Sequence, residues 1–235
     1  MIEALSLGDA GWGDELLRGL GVTVRLALTA LPVGLGIGFA VAGLSMARAP
    51  LLRAAGFGYT TLIRGLPEIL TLFVVYNGLG LLLARVALWR APGAAAPDFS
   101  PFVAGVIALS LVFGAYAAEV LRGAFAALDR GQVEAGQSVG MTRWMIFRRI
   151  KLPQIWRFAL PGLGNLWINL LKDTSLVSVI ALNDLMRMTK VAVGVTKQPF
   201  TFYLVACLAY WGLCVLSELV LARLEARSRR GLRRV

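Results

Sequence analysis

Histidine is absent from the 235 residues of this sequence, which excludes a histidine-based metal or acid–base centre. The nucleotide-binding pattern GxxxxGK[ST] does not occur either, so we expect no ATP site in this chain. The two cysteines, Cys207 and Cys214, lie in one apolar run, about 10 Å apart along a helix, which is too far for a disulfide. We expect them to be packing residues. Charged residues make up only 16% and hydrophobic residues 58%, which is too apolar for a soluble domain of this length.

The few charges are predominantly basic. Lysine and arginine number 24 against 13 acidic residues, which gives a net charge of +11 and a pI near 10.6. Such values also occur in nucleic-acid-binding proteins. However, the basic residues here lie between and after long apolar runs, so membrane orientation explains them better, and no nucleic-acid partner is predicted.

Five apolar runs are long enough to cross about 30 Å of hydrocarbon. The segment before the first run is acidic and has no early basic cluster, so we do not expect the first run to be a cleaved signal peptide. The sequence therefore predicts an all-α membrane protein with five transmembrane helices in one domain, residues 1–235. The predicted spans are 19–46, 58–83, 102–125, 158–180 and 201–221.

Basic residues also predict the orientation, because they concentrate in cytoplasmic loops. The linker between the second and third spans, 84–101, and the linker before the fifth span are the less basic ones, so we expect both to face outward. The N-terminus is then outside and the C-terminus inside. The loops predicted to be cytoplasmic carry Arg48 and Arg53, the seven basic residues of 122–157, and Arg223, Arg227, Arg229, Arg230, Arg233 and Arg234.

The basic loop at about 126–157 has the signals of two short helices. Gly140 can take the left-handed conformation that closes the first helix, and Thr142 can cap the second. We expect Pro153 to stop the second helix. A capped helical pair in a cytoplasmic loop predicts a docking surface for a partner.

Polar side chains follow one face of the fourth span. Asn165, Asn169 and Lys172 recur at i, i+4 and i+7, with Asp173 at the edge of that stripe. Hydrogen bonds between helices are one explanation. A hydrated pathway is the other, since two ionisable groups in a span are costly. Asp173 could then hold the ammonium or guanidinium of a cationic substrate. Hydroxyls of Thr174, Ser175 and Ser178 extend the polar segment.

The second span is interrupted by Arg64-Gly65-Leu66-Pro67-Glu68, where proline removes a backbone donor. This break marks either a substrate pathway or a fixed kink in which Arg64 pairs with Glu68. In the first span, Gly34, Gly36 and Gly38 contain a GxxxG pattern that predicts close helix packing. Glu119 and Arg122, three residues apart, predict a structural ion pair.

These segments resemble a known family. Glu134-Ala135-Gly136, Gly140 and Ile150-Lys151-Leu152-Pro153 look like the EAA loop of ABC-importer permeases: EAA, three residues, G, nine residues, I-x-L-P. Here Gly136 replaces the second alanine. The chain resembles the polar amino-acid permeases, most closely the subgroup importing arginine, histidine, lysine, ornithine or opines. Further matching segments are Arg64–Glu68, Gly114–Glu119, Arg122–Ala124, Ala159–Asn165 and Leu171–Leu176.

The resemblance implies half of a type I importer in the bacterial inner membrane. Its partners would be an ABC ATPase dimer that binds ATP and magnesium, a second permease, identical or paralogous, a periplasmic amino-acid-binding protein and membrane lipid. This chain itself would bind no cofactor or metal and would not be an enzyme. The resemblance assigns ATPase coupling to Glu134, Ala135, Gly136, Gly140, Leu152 and Pro153, and it places Asp173 near the bound amino acid.

Two alternatives remain at this stage. Permeases for glutamine or glutamate often carry aspartate in the same segment, so Asp173 alone does not select a basic substrate. A proton-coupled secondary transporter could use Asp173, Lys172 and Glu68 as a relay, but such carriers have more spans and internal symmetry. The candidate pathway residues are Asp173, Lys172, Asn169, Asn165, Thr174, Ser175, Arg64 and Glu68.

Overall fold

The computed structural model describes residues 5–8, 11–90 and 99–228, and these residues form helices and short connections. A π-helical turn, Phe147–Lys151, precedes the seventh α-helix, and a 3₁₀ segment, Thr174–Ile180, follows it. In chain order the α-helices are α1 Gly13–Ser45, α2 Pro50–Arg64, α3 Glu68–Arg90, α4 Pro101–Ala126, α5 Arg130–Ser138, α6 Arg143–Ile146, α7 Leu152–Asp173, α8 Leu185–Thr196 and α9 Pro199–Ser228.

Four of the described helices, α1, α3, α4 and α9, are long and apolar enough to cross a membrane. Helix α7 covers most of the predicted fourth span but is not among them. It has 22 residues, carries Pro161 inside, and ends at Asp173, where the 3₁₀ segment begins. The all-α prediction is therefore confirmed for the described residues, whereas the number of spans stays a prediction.

Helix α4 lies at the centre of the bundle. Of the residues in the most apolar stretch of α4, 61% are buried, whereas only 6% are buried in the corresponding stretch of α9. Helix α9 therefore lies on the periphery. Helix α1 packs along α4, and a side chain at Gly38 would meet the Cβ of Ala117 at 2.8 Å. Gly34 faces Phe113 in the same way, while Gly36 points into open space. The GxxxG pattern thus marks close helix packing, as predicted.

The predicted second span is two helices rather than one. Helix α2 ends at Arg64 and α3 begins at Glu68, and the amide of Thr71 donates to the carbonyl of Pro67 at 3.1 Å. The predicted break is confirmed, because proline fits the start of a new helix better than the interior of an old one. Helix α3 continues to Arg90, beyond the predicted end of the span at 83, and most of the rest of that linker, 91–98, lies outside the described residues.

Helix α8 packs against the first half of α1. Asp184 caps α8 by accepting from the amide of Arg187 at 2.9 Å, and the amide of Leu185 donates to Thr23 Oγ1 at 3.2 Å. A small apolar cluster of Leu16, Leu185, Ala192 and Phe202 joins α1, α8 and α9. This end of the molecule is separate from the loop that contains α5 and α6.

Candidate functional site

The predicted docking loop begins with helix α5. Asp129 caps α5 by accepting from the amide of Gly131 at 2.8 Å, and the helix closes at Gly140, whose φ is +75°. The amide of Met141 donates to the carbonyl of Gly136 at 3.0 Å, which completes the turn. Thr142 then caps α6 through the amide of Met145. The predicted helical pair and both of its boundary residues are confirmed.

Two contacts hold α5 against the start of α7. Gln154 Nε2 donates to Gln132 Oε1 at 2.6 Å and to the carbonyl of Ile150 at 2.9 Å. Gly136 is buried, and a Cβ there would lie 2.9 Å from Ile150 Cδ1. A glycine in place of the usual second alanine therefore lets α5 lie close to the π-helical turn.

The prediction for Pro153 is wrong. Pro153 does not stop the second helix of the loop, because α6, the π-helical turn and α7 follow one another without a break. Pro153 occupies the first turn of α7, directly after the π-helical turn. The wider π-helical turn, in which Leu152 N donates to Phe147 O, carries the chain into α7.

The docking loop leaves several side chains exposed. Val139 is 76% exposed and Trp144 is 66% exposed. Glu134, Ala135 and Leu152 are also exposed. The loop thus presents a mixed apolar and polar surface on its outside, while Gly136 and Ile146 pack on its inside.

A second feature is a cavity of about 200 Å³ where α3, α4 and α7 meet. Glu68 comes from the first turn of α3, and Asn169 and Asp173 come from the end of α7. Glu68 and Asp173 line the same cavity. The cavity therefore brings two carboxylates and one amide together with an apolar wall. The wall consists of Leu109, Val112, Phe113, Tyr116, Leu166 and Leu170.

Four other predicted pathway residues lie apart from this cavity. Asn165 lines a different cavity, between α7 and α9. The hydroxyls of Thr174 and Ser175 donate to the carbonyls of Leu171 and Lys172 within their own turn. The side chain of Lys172 is exposed and does not pair with Asp173 among the described ion pairs. The polar stripe predicted on this helix therefore does not line one site, because Asn165 and Asn169 border different cavities and Lys172 is exposed.

Arg64 contacts α4 rather than Glu68. Its Nη1 lies 3.9 Å from Glu119 Oε1, and its guanidinium lies over the ring of Tyr116 at 5.3 Å. The Arg64–Glu68 kink pair considered from the sequence is therefore wrong, since Arg64 pairs with Glu119 and no Arg64–Glu68 ion pair occurs among the described residues. The ion pair between Glu119 and Arg122 is confirmed.

Tyr116 was not predicted as a site residue, although it borders both the carboxylate cavity and Arg64. An aromatic residue in an apolar span reads as ordinary packing. The available signal was its position three residues before Glu119, which places both on one face of α4.

Comparisons with known proteins agree with this geometry. The family described as "Binding-protein-dependent transport system inner membrane component" matches residues 34–230. The chain belongs to this family. It is 43% identical over 235 residues to the octopine transport system permease protein OccQ of Rhizobium meliloti, covering 99% of this chain and 98% of that protein. It is also 43% identical to the arginine ABC transporter permease protein ArtQ of Escherichia coli K12, covering 93% and 97% respectively.

A solved structure supports the same assignment. The crystal structure of an amino acid ABC transporter with histidines aligns with a TM-score of 0.79 and 31% identity, covering 92% of this chain and 95% of that one. This permease therefore has the type I importer fold, and it is a membrane-spanning transport subunit of an ATP-driven importer. As an inner membrane component of such a system, it works with an ATPase subunit and a substrate-binding protein.

Proposed function

We propose that this permease forms half of the pathway for a basic amino acid: arginine, lysine, histidine, ornithine or an opine. The observation that supports the proposal is the shared cavity of Glu68 and Asp173. Two carboxylates in one partly buried cavity repel each other, and a cationic ligand between them removes that cost. The octopine and arginine systems of the relatives fit this chemistry.

The remaining site residues take two roles in the proposal. Asn169 offers an amide to the polar end of the substrate beside Asp173. Lys172, Asn165, Thr174 and Ser175 extend the polar surface of α7 and its 3₁₀ continuation. Arg64, the last residue of α2, lies next to the cavity because its guanidinium contacts Tyr116 in the cavity wall.

Coupling to the ATPase uses the docking loop. The outer surface of α5 and α6, with Glu134, Ala135 and the exposed Val139 and Trp144, would meet the ATPase. Gly136 and Gly140 shape the loop, and Leu152 and Pro153 connect it to α7. Because the loop continues into α7, a displacement of α5 reaches the helix that carries Asp173.

The proposed complex contains this chain, a second permease and two ATPase subunits. The chain is one domain with five spans, α7 being the fourth, and its N-terminus is outside and its C-terminus inside. A second permease encloses the pathway, two ATPase subunits bind ATP and magnesium below it, and this chain has no ATP site of its own. The complex lies in a bacterial inner membrane, in contact with lipid.

The test is uptake by the full complex, reconstituted with its ATPase, partner permease and binding protein. Asp173→Asn should lower arginine uptake by about tenfold or more, because a hydrogen bond to a charged group contributes roughly 1.5 to 3 kcal/mol. Glu68→Gln should act in the same direction. Asp14→Asn, which removes a carboxylate from the first turn of α1 and lines neither of these polar cavities, is the matched control and should keep wild-type uptake.

Unchanged uptake of every basic amino acid by Asp173→Asn would reject the cation site. Full uptake of glutamine or glutamate by the wild type, with none of arginine, would favour the alternative substrate class. Uptake that needs a proton gradient and no ATPase would favour a secondary transporter.

A further inference from the structure

Glu119 is a third acidic residue beside the candidate pathway. It lies on α4 three residues after Tyr116, so the two side chains share a face with a rise of about 4.5 Å between them. Tyr116 lines the cavity that contains Glu68 and Asp173. A cation that leaves this cavity along Tyr116, toward the predicted cytoplasmic end of α4, therefore meets the Glu119 carboxylate next.

The two arginines that contact Glu119 are held unequally. Arg122 lies on the same helix, pairs with Glu119 Oε2 and stacks over Phe57 at 5.5 Å. Arg64 comes from the last residue of α2, and its 3.9 Å contact with Glu119 Oε1 is near the limit of an ion pair. The Arg64 side chain is 43% exposed and that of Arg122 is 40% exposed, so exposure does not separate the two arginines, whereas the length of the contact with Glu119 does. Arg64 is thus the partner that is easier to displace.

Arg64 also carries the same chemical group as an arginine substrate. Its guanidinium occupies a cation site with two elements, the Glu119 carboxylate on one side and the face of Tyr116 on the other. Carboxylates and aromatic faces are the groups that bind guanidinium and ammonium ions. Any free cation of this class that reaches the site competes with Arg64 for the same groups.

We propose that Glu119 and Tyr116 form a second binding site for the cationic group of the substrate, on the inward side of the first, and that Arg64 occupies this site until the substrate displaces it. Arg122 stays in place and holds the Glu119 carboxylate in position. Arg64 is the last residue before the break at 65–67, so its displacement changes the contact between α2 and α4 at that break. The inference rests on the proposed function, which supplies the cationic substrate, the first cation site and the orientation of the chain.

The experiment measures equilibrium binding of radiolabelled L-arginine to the full complex in nanodiscs, without nucleotide or binding protein. Arg64→Gln removes the internal competitor and should tighten arginine binding by about three- to tenfold, since an exposed ion pair and a cation–π contact together contribute roughly 1 kcal/mol. Arg64→Lys keeps a competing charge and should gain less affinity for arginine than Arg64→Gln does. Adding Glu119→Gln to Arg64→Gln should abolish the gain.

An unchanged or weaker arginine affinity in Arg64→Gln would overturn the inference, and so would a gain that persists without the Glu119 carboxylate. If Glu119→Gln prevents assembly, Glu119→Asp with its shorter side chain must reduce the gain instead. Asp173→Asn, measured in parallel, separates the two proposals. If Arg64→Gln binds arginine more tightly and Asp173→Asn binds it as the wild type does, only the first cation site is rejected. If Asp173→Asn binds arginine more weakly and Arg64→Gln shows no gain, only the second site is rejected.

Discussion

The side-chain amide of Gln154 donates a 2.6 Å hydrogen bond to Gln132 Oε1, which joins the first turns of α7 and α5. Beside it, the buried Gly136 faces Ile150 of the π-helical turn. These contacts make the docking loop and the base of α7 one packed unit. If the ATPase binds α5 as proposed, a force on this helix would reach α7 through packed side chains.

Bulk at Gly136 should uncouple that unit. Gly136→Ala should be tolerated, because the terminal methyl of Ile150 can move aside from a Cβ at 2.9 Å. Gly136→Val adds two further methyl groups beside Ile146 and Ile150 and should separate α5 from α7, at a cost of about 1 to 3 kcal/mol. We expect ATP hydrolysis that the binding protein no longer stimulates. Adding Ile150→Ala to Gly136→Val should restore part of the coupling, because it makes room for the valine. Normal coupling in Gly136→Val alone would contradict the packed unit.

Close packing of α1 on α4 yields a second prediction. Gly38→Ala places a Cβ 2.8 Å from that of Ala117, which cannot rotate away, so the helices must separate. We expect a loss of roughly 1 to 3 kcal/mol of stability, measured as a lower thermal midpoint in detergent. Gly36→Ala, which meets no atom within 4 Å, is the matched control. Combining Gly38→Ala with Ala117→Gly restores the total volume and should restore the midpoint; failure to do so would mean that the contact does not limit stability.

Orientation can be checked by cysteine labelling in a Cys207→Ser, Cys214→Ser background. A cysteine at the exposed Gly131 in α5 should react with a membrane-impermeant maleimide only from the cytoplasmic side. One at the exposed Gln198, between α8 and α9, should react only from outside. Labelling of both from the same side would show that an even number of spans separates them. That result would remove α7 from the set of spans. The helices on either side of it, α4 and α9, would remain candidates, because both are long and apolar enough to cross a membrane.

Local signals predicted the parts of the fold that depend on few neighbours. Gly140, Thr142 and Pro67 define turns and caps through their own backbone preferences, so the helical pair and the break in the second span followed from the sequence. Pro153 was misassigned because the π-helical turn before it depends on α5 packing across the loop. That contact is tertiary and leaves no local pattern.

The candidate pathway was only partly predictable for the same reason. Asp173 and Asn169 could be found from the polarity of one helix, and Glu68 from the break. Their meeting in one cavity, however, depends on how α3 and α7 both pack on α4. The partner of Arg64 was missed because Glu119 lies far along the chain, with a satisfactory neighbour in Arg122.

Asp184 lies between the predicted fourth and fifth spans. Asp184 is fully buried, and its Oδ2 has no hydrogen-bond partner among the described residues. Burial raises the pKa of Asp184 to about 6, against the amide of Arg187 and the more distant charge of Lys190, which lower it. The folded state thus binds its proton more tightly than the unfolded chain, whose aspartates titrate near about 3.9.

Because the pKa of Asp184 is higher in the folded state, its contribution to stability decreases as the pH rises. The contribution of protonated Asp184 to stability is fully present below about pH 4 and is lost as the pH rises through about 6, a change of roughly 2 to 3 kcal/mol. Asp184→Asn keeps a side-chain oxygen to cap α8 and carries no titrating group. Thermal midpoints of the detergent-solubilised complex should therefore fall for the wild type relative to Asp184→Asn between pH 4.5 and 7.5. Parallel midpoints across this range would show that Asp184 is ionised at no cost, because water or another cation reaches Oδ2.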